Sequence, residues 1–190
     1  MALSTSTIAP HDAEVKVVPE HRTDKEIWDE IFYYKLGGVV FHLKAMALFE
    51  KHHLKGYAKM HEYHAKEEFA AAVHILGDCI EYLKSDLLID FTKAHPVPAI
   101  TLHGDNMKDL MIHGLELYED WEDDVYRKLK HWKHDLKETK EHIDYLIQDV
   151  RKEREFIHEL WEEMEKCGYD ETHLKNLDEK LHHYCEKKMG

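Results

Sequence analysis

Proline and glycine are scarce in this chain, 4 and 8 of 190 residues. That scarcity excludes a sheet protein rich in tight turns, because turns draw on these residues. Cysteine is scarcer still. Cys79, Cys167 and Cys185 are odd in number and lack zinc-type spacing, so they read as reduced thiols in a reducing compartment. No stretch approaches the roughly 18 apolar residues of a membrane span, and the first two dozen residues hold no apolar segment of signal-peptide length. A soluble, cytoplasmic setting is expected, with no membrane partner. Positive charge is also in deficit, with a formal net charge of −13. Such a chain has no basic face to displace counterions from phosphates, so nucleic acid is not an expected partner. An acidic surface that attracts cations is.

What is present is charge, histidine and helical periodicity. Charged residues make up 34% of the chain, which, with so few breakers, favours long helices with one face in water. The length suits a single domain with a real core. The 18 histidines include the pairs His52 and His53, His61 and His64, His131 and His134, and His182 and His183. Histidine is the commonest metal ligand, so zinc or another divalent metal could be held loosely at the surface, although most surface histidines are simply solvated.

Residues 1–23 show no helical period and read as a flexible arm. Thr23 or Asp24 can cap a first helix, whose apolar positions run Ile27, Ile31, Tyr34, Gly38, Phe41, Ala45 and Leu48 and which ends before Gly56. Gly37 and Gly38 inside it cost about 1 kcal/mol each relative to alanine, so either another segment crosses closely there or the helix is locally weak. The next stretch, Tyr57 to Leu83, places Met60, His64, Glu68, Ala71, Ile75, Cys79 and Tyr82 on or near one face. Paired carboxylates Glu67 and Glu68 therefore fall in or beside the face that should be driest, where helix bundles build metal sites from inward side chains. Leu87 to Gly104 breaks the period with two prolines and is long enough to cross the length of a bundle.

A third helix opens at Asp105 or Asn106 and runs through Leu110, Gly114, Leu117, Trp121, Val125, Leu129 and Trp132; its acidic run from Glu116 to Asp124 is expected to be a solvated face. Asp135 and Glu138 have the spacing of a capping box, which places a tight turn near His134. The fourth helix carries Ile143, Leu146, Ile147, Val150, Ile157, Leu160, Trp161 and Met164, interrupted by Glu153 and Arg154, a polar break in an apolar stripe. Glu155 and His158 form a Glu-x-x-His pair on one side of that helix. Gly168 closes it, and Asp170 starts a shorter fifth helix with Leu174, Leu177, Leu181 and Tyr184.

Two helices, a long crossover, two helices and a short tail helix is an order that resembles the ferritin-like bundle. YAKMHEYHAKEEFAAA in the second helix resembles the ferritin pattern of aromatic-Ala-Lys, a Glu-Glu pair and a following Ala; HEYH resembles bacterioferritins; EKCG and HLKNLDEKL resemble the end of the fourth helix and the fifth. The resemblance implies an all-α, ferritin-like four-helix bundle over residues 24–168, with a C-terminal helix over 169–190. Ferritins carry Glu-x-x-His on the second helix, but here Glu68 is followed by Ala71. The family's first-helix glutamate falls near Lys35, and its tyrosine behind the site falls at His42. The third-helix glutamate falls at Trp121 or Glu122, and Glu153 is the one obvious carboxylate near the fourth-helix position. If Lys35 faces the core, its ammonium pairs with Glu68 or Glu153 in place of a metal charge, because a lone buried charge costs several kcal/mol.

The resemblance implies an iron-storage cage subunit, a homo-oligomer of 24 copies or alternatively 12, that holds mineral. Any iron oxidation would be weak or would use a non-standard site of Glu68, Glu122, Glu153 and a histidine such as His64 or His158; a light-chain-like subunit lacking its own ferroxidase centre is one variant. A bundle without metal chemistry, acting as a structural or interaction protein, is the alternative of a different class. A mini-ferritin, resembled by HHLKG and by Met60-His61-Glu62, is a third.

Overall fold

The computed structural model describes residues 22–82, 90–97 and 99–190, with side chains to residue 77 in the first span. The arm over 1–21, the Cys79 side chain and most of the start of the crossover lie outside what is described. Helix α1 spans Asp24–Lys51, α2 Lys55–Tyr82, α3 Met107–Asp135, α4 Asp144–Lys166 and α5 Glu171–Met189. α1 packs on α2 and α3 on α4, while α5 lies along α2.

Thr23 caps α1 with a full capping box, its side chain accepting from the Glu26 amide while the Glu26 carboxylate accepts from the Thr23 amide. The inward stripe runs Ile27, Ile31, Tyr34, Gly38, Phe41, Ala45 and then Phe49. Phe49, not Leu48, takes the last core position. The two helical glycines have a steric reason. A Cβ on Gly37 would lie 2.8 Å from His95 Cβ in the crossover, and one on Gly38 would lie 2.9 Å from Glu68 Cδ. The crossover is pinned there, since the His95 amide donates to the Tyr33 carbonyl at 2.9 Å.

No tight turn or capping box forms at Asp135 and Glu138. Asp135 pairs instead with Arg22, and the loop is capped from α1. One Asp24 oxygen accepts from the Lys137 amide and the other from the Glu138 and Thr139 amides, each at 2.9 Å. A single 3-10 turn over Lys140–Ile143 then leads into α4. The capping signal misled because the anion that satisfies these amides is more than a hundred residues away in the chain.

α2 likewise borrows its cap. Asp178 of α5, nearly fully buried, accepts from the Tyr57 amide at 3.0 Å. The approach is so close that a Cβ on Gly56 would lie 1.9 Å from the Asp178 carbonyl oxygen. Backbone cannot yield as a flexible side chain can, so Gly56→Ala should cost about 3 kcal/mol by forcing α5 off α2. A urea midpoint equal to that of the parent would contradict this docking.

Candidate metal centre in the bundle core

Polar side chains interrupt the apolar rows of all four bundle helices at one level, and they meet. α1 supplies Lys35 and His42, α2 supplies His61, His64 and Glu68, α3 supplies Glu122, and α4 supplies Glu153. Lys35, His42, His61, His64, Glu68 and Glu122 are all buried, and Glu153 is nearly so.

Lys35 Nζ donates to Glu68 Oε1 at 2.7 Å. Gly38 opposite leaves room for that carboxylate. His42 and His61 face each other, Nδ1 to Nδ1, at 2.9 Å. Tyr118 closes one side, its ring 5.2 to 5.4 Å from the His42, His61 and His64 rings, and its hydroxyl donates to Glu153 at 3.4 Å. His64 Nδ1 lies 3.5 Å from Glu67 and 3.8 Å from Glu153.

The surroundings set the charges. Burial, reinforced by His61 and His64, holds His42 well below the usual imidazole range, and burial, with His64 nearby, pushes His61 down to about 3. Both rings are neutral, so across the Nδ1–Nδ1 contact one donates and the other accepts, and only the donating ring keeps a free lone pair, on Nε2. Burial works against a charge on His64 too, but Glu153 and Glu67 overcome it and raise its pKa to about 9. Burial, Glu153 and Glu68 together push Glu122 well above the usual carboxyl range, which favours its neutral form. Burial opposes ionisation of Glu153, yet His64 and Lys35 hold it below that range. For the pair at 2.7 Å, burial pushes Glu68 up and Lys35 draws it back; the geometry is that of ammonium on carboxylate. Two cations, Lys35 and His64, thus face two carboxylates, Glu68 and Glu153.

That balance sets a pH dependence. His64 has a folded pKa raised from 6.5 to about 9, so its contribution is complete below about pH 6.5 and is lost as pH rises through 9. Stability should therefore fall by up to about 3 kcal/mol across that window, at about 1.4 kcal/mol per pKa unit. His64→Gln should flatten this part of the curve; an undiminished slope would assign it elsewhere.

Charge balance does not exhaust the donors. Among the described residues, seven buried side-chain atoms of this cluster lack a hydrogen-bond partner: His42 Nε2, His61 Nε2, His64 Nδ1 and Nε2, Glu68 Oε2, and both Glu122 oxygens. Orphans of this kind are costly. Ligand atoms of His42, Glu68 and Glu122 lie within 4.8 Å of one another, as do those of His64, Glu67 and Glu153. One imidazole and two carboxylates suit a divalent transition metal, and the His42–His61 contact would fix the tautomer of a ligating His42. They fit one ion better than two, because Lys35 already stands on Glu68 where a first-helix carboxylate would serve a pair.

The sequence-derived residues are thus partly assembled. Glu68, Glu122, Glu153 and His64 converge. His158 does not: it is three-quarters exposed on the outer side of α4, 3.4 Å from Glu162, because its spacing from the inward residues Val150, Ile157 and Leu160 turns it to water. The acidic run of α3, expected as a solvated face, is corrected at Glu122, the site candidate within it, which is fully buried. Trp121 beside it is also buried and stacks on Phe41, so the register on α3 resolves with Glu122 toward the donors. His42 and His61 were not assigned as donors from sequence. The signal was available in the α1 row Ile31, Lys35, Gly38, His42, Ala45, Phe49, where two polar residues break an otherwise inward stripe.

A cleft of about 590 Å³ opens between α2, α4 and α5 and reaches Lys35, His64, Glu68 and Glu153. Ala71, where ferritins carry a histidine, is on its wall.

No known family model and no curated protein matches the sequence. Among solved structures, the chain is similar to a ferritin of Archaeoglobus fulgidus engineered by site-directed mutagenesis into a closed form. The TM-score is 0.69 at 14% identity, covering 84% of this chain and 94% of that one. The chain has the ferritin-like fold, an all-helical bundle with a long crossover and a fifth helix. At that identity the likeness shows the fold alone. No helix among the described residues is long and apolar enough to cross a membrane.

Proposed function

We propose that the protein is a ferritin-like, iron-binding subunit of a homo-oligomeric cage whose core takes up one ferrous ion per chain at His42, Glu68 and Glu122. The observation that carries this reading is the convergence of His42, Glu68 and Glu122, whose ligand atoms lie within 4.8 Å of one another and whose His42 Nε2, Glu68 Oε2 and both Glu122 oxygens lack a hydrogen-bond partner among the described residues. Neutral imidazole and carboxylate oxygen are the donors that ferrous iron takes. Oxidation of that ion by oxygen should be slow, since a single ion lacks the neighbour with which a two-iron centre shares the electrons, and mineral would then grow against the acidic surface of the assembly. His61, on which the mini-ferritin likeness partly rests, is turned into the core toward His42 and not toward another subunit, which favours the larger cage.

The alternative of a bundle without metal chemistry has one specific support: the charges of Lys35, His64, Glu68 and Glu153 already offset one another. Anaerobic ferrous iron binding, followed by oxidation in air at the ferric absorbance, separates the two. Loss of one bound ion per chain in Glu122→Gln is the expected result, and that substitution is isosteric with the carboxyl it replaces. A protein that binds no iron and an air trace matching a buffer blank would leave only the metal-free bundle. Size exclusion near half a megadalton is expected for a cage of about 24 copies; a monomer or dimer would end the cage reading.

A further inference from the structure

We propose that His64, Glu67 and Glu153 form a second metal-binding station at the mouth of the α2, α4 and α5 cleft, through which a divalent cation reaches the deeper donors. This rests on the deeper site being a metal site. The three residues place ligand atoms within 4.8 Å of one another, and all three line the cleft. Acidic residues at a surface would carry little by themselves. Here the third member is an imidazole ring that is 4% exposed and lines the same cleft, with no hydrogen-bond partner on either nitrogen among the described residues and Nδ1 facing only the other two members at 3.5 and 3.8 Å. A ring buried in this way can ligate a cation once the incoming metal displaces its proton.

The three differ in depth, and the difference suits passage. Glu67 is 45% exposed and Glu153 only 12%, so Glu67 meets a hydrated cation in water and Glu153 completes its ligand set further in. The Tyr63 hydroxyl donates to Glu67 Oε1, which leaves Oε2 turned toward His64 at 3.5 Å. Two carboxylates share one imidazole here, so the mouth has room for a further positive charge. Beyond it, Glu153 is the neighbour whose charge acts most strongly on Glu122, and Glu122 is a member of the deeper set. The alanines at 70 and 71 leave the cleft wall open along this line, where a larger side chain would narrow it.

Cobalt(II) binding to the full-length protein tests the station, with stoichiometry by equilibrium dialysis and loading rate by stopped-flow absorbance. The parent protein should bind two ions per chain. Glu67→Ala, at an exposed position, should bind one and load it at least about tenfold more slowly, the scale of effect expected when support for a metal ligand is removed. Glu122→Gln should also bind one, at an unaltered fast rate. Parent-like stoichiometry and rate in Glu67→Ala would overturn the station while leaving the deeper site standing. Loss of an ion in Glu67→Ala but none in Glu122→Gln would overturn the route by removing its destination, and with it the deeper site.

Discussion

Lys35→Ala is expected to destabilise the metal-free protein by about 3 to 5 kcal/mol, the range for breaking a buried ion pair from one side. Glu68 is 2% exposed and its only hydrogen bond among the described residues is to Lys35, with the second oxygen lacking one. Without the ammonium, the carboxylate must take up a proton or remain an uncompensated charge in the core. A divalent cation on His42, Glu68 and Glu122 supplies the missing positive charge. At a hundredfold its Kd such an ion returns about 2.7 kcal/mol, so metal should recover a large part of the loss. Thermal unfolding with and without manganese(II) checks both parts. A variant as stable as the parent would show that the pair is not essential to the core, and one that metal fails to rescue would show that the deeper donors do not bind it.

Lys35→Glu should change function more than any other single substitution. It places a carboxylate on α1 beside Glu68, Glu122 and Glu153, which converts a one-ion core into one with donors for two. Without metal the variant gathers a fourth carboxyl at one level of the bundle and should fold poorly, since like charges at such distances cannot all ionise. With ferrous iron present during folding, it should bind one more ion per chain than the parent. Its oxidation in air should be at least tenfold faster, since paired ions can share the electrons that oxygen takes. Unchanged stoichiometry in the folded variant would mean that Lys35 does not occupy the place of a cation.

The fold was legible in the sequence because its signals are local or periodic. Thr23 with Glu26, Asn106 and the pair Gly168 and Asp170 mark helix ends by their own chemistry, and the stripes of α1 and α4 repeat at helical spacing. Where the deciding partner is remote, sequence reading fails. Asp24 caps the loop before α4 and Asp178 caps α2, and nothing in the neighbourhood of Lys137 or Tyr57 announces them. Glu68 and Glu153 were legible as polar breaks in apolar rows, and Lys35 as their cationic partner. Glu122 was legible only through the family register, because in the acidic run five charged neighbours on the outer faces of α3 mask one that turns inward. His42 and His61 were hidden by the abundance of histidine itself. What makes them candidates for metal is neutrality under burial, a property of the packed core and not of spacing.

Iron-soaked crystals examined by anomalous scattering test the central proposal most directly. The expected result is a peak bounded by His42, Glu68 and Glu122, with none between Lys35 and Glu68. Peaks confined to surface histidines such as His182 and His183, with the core donors unmoved, would contradict it.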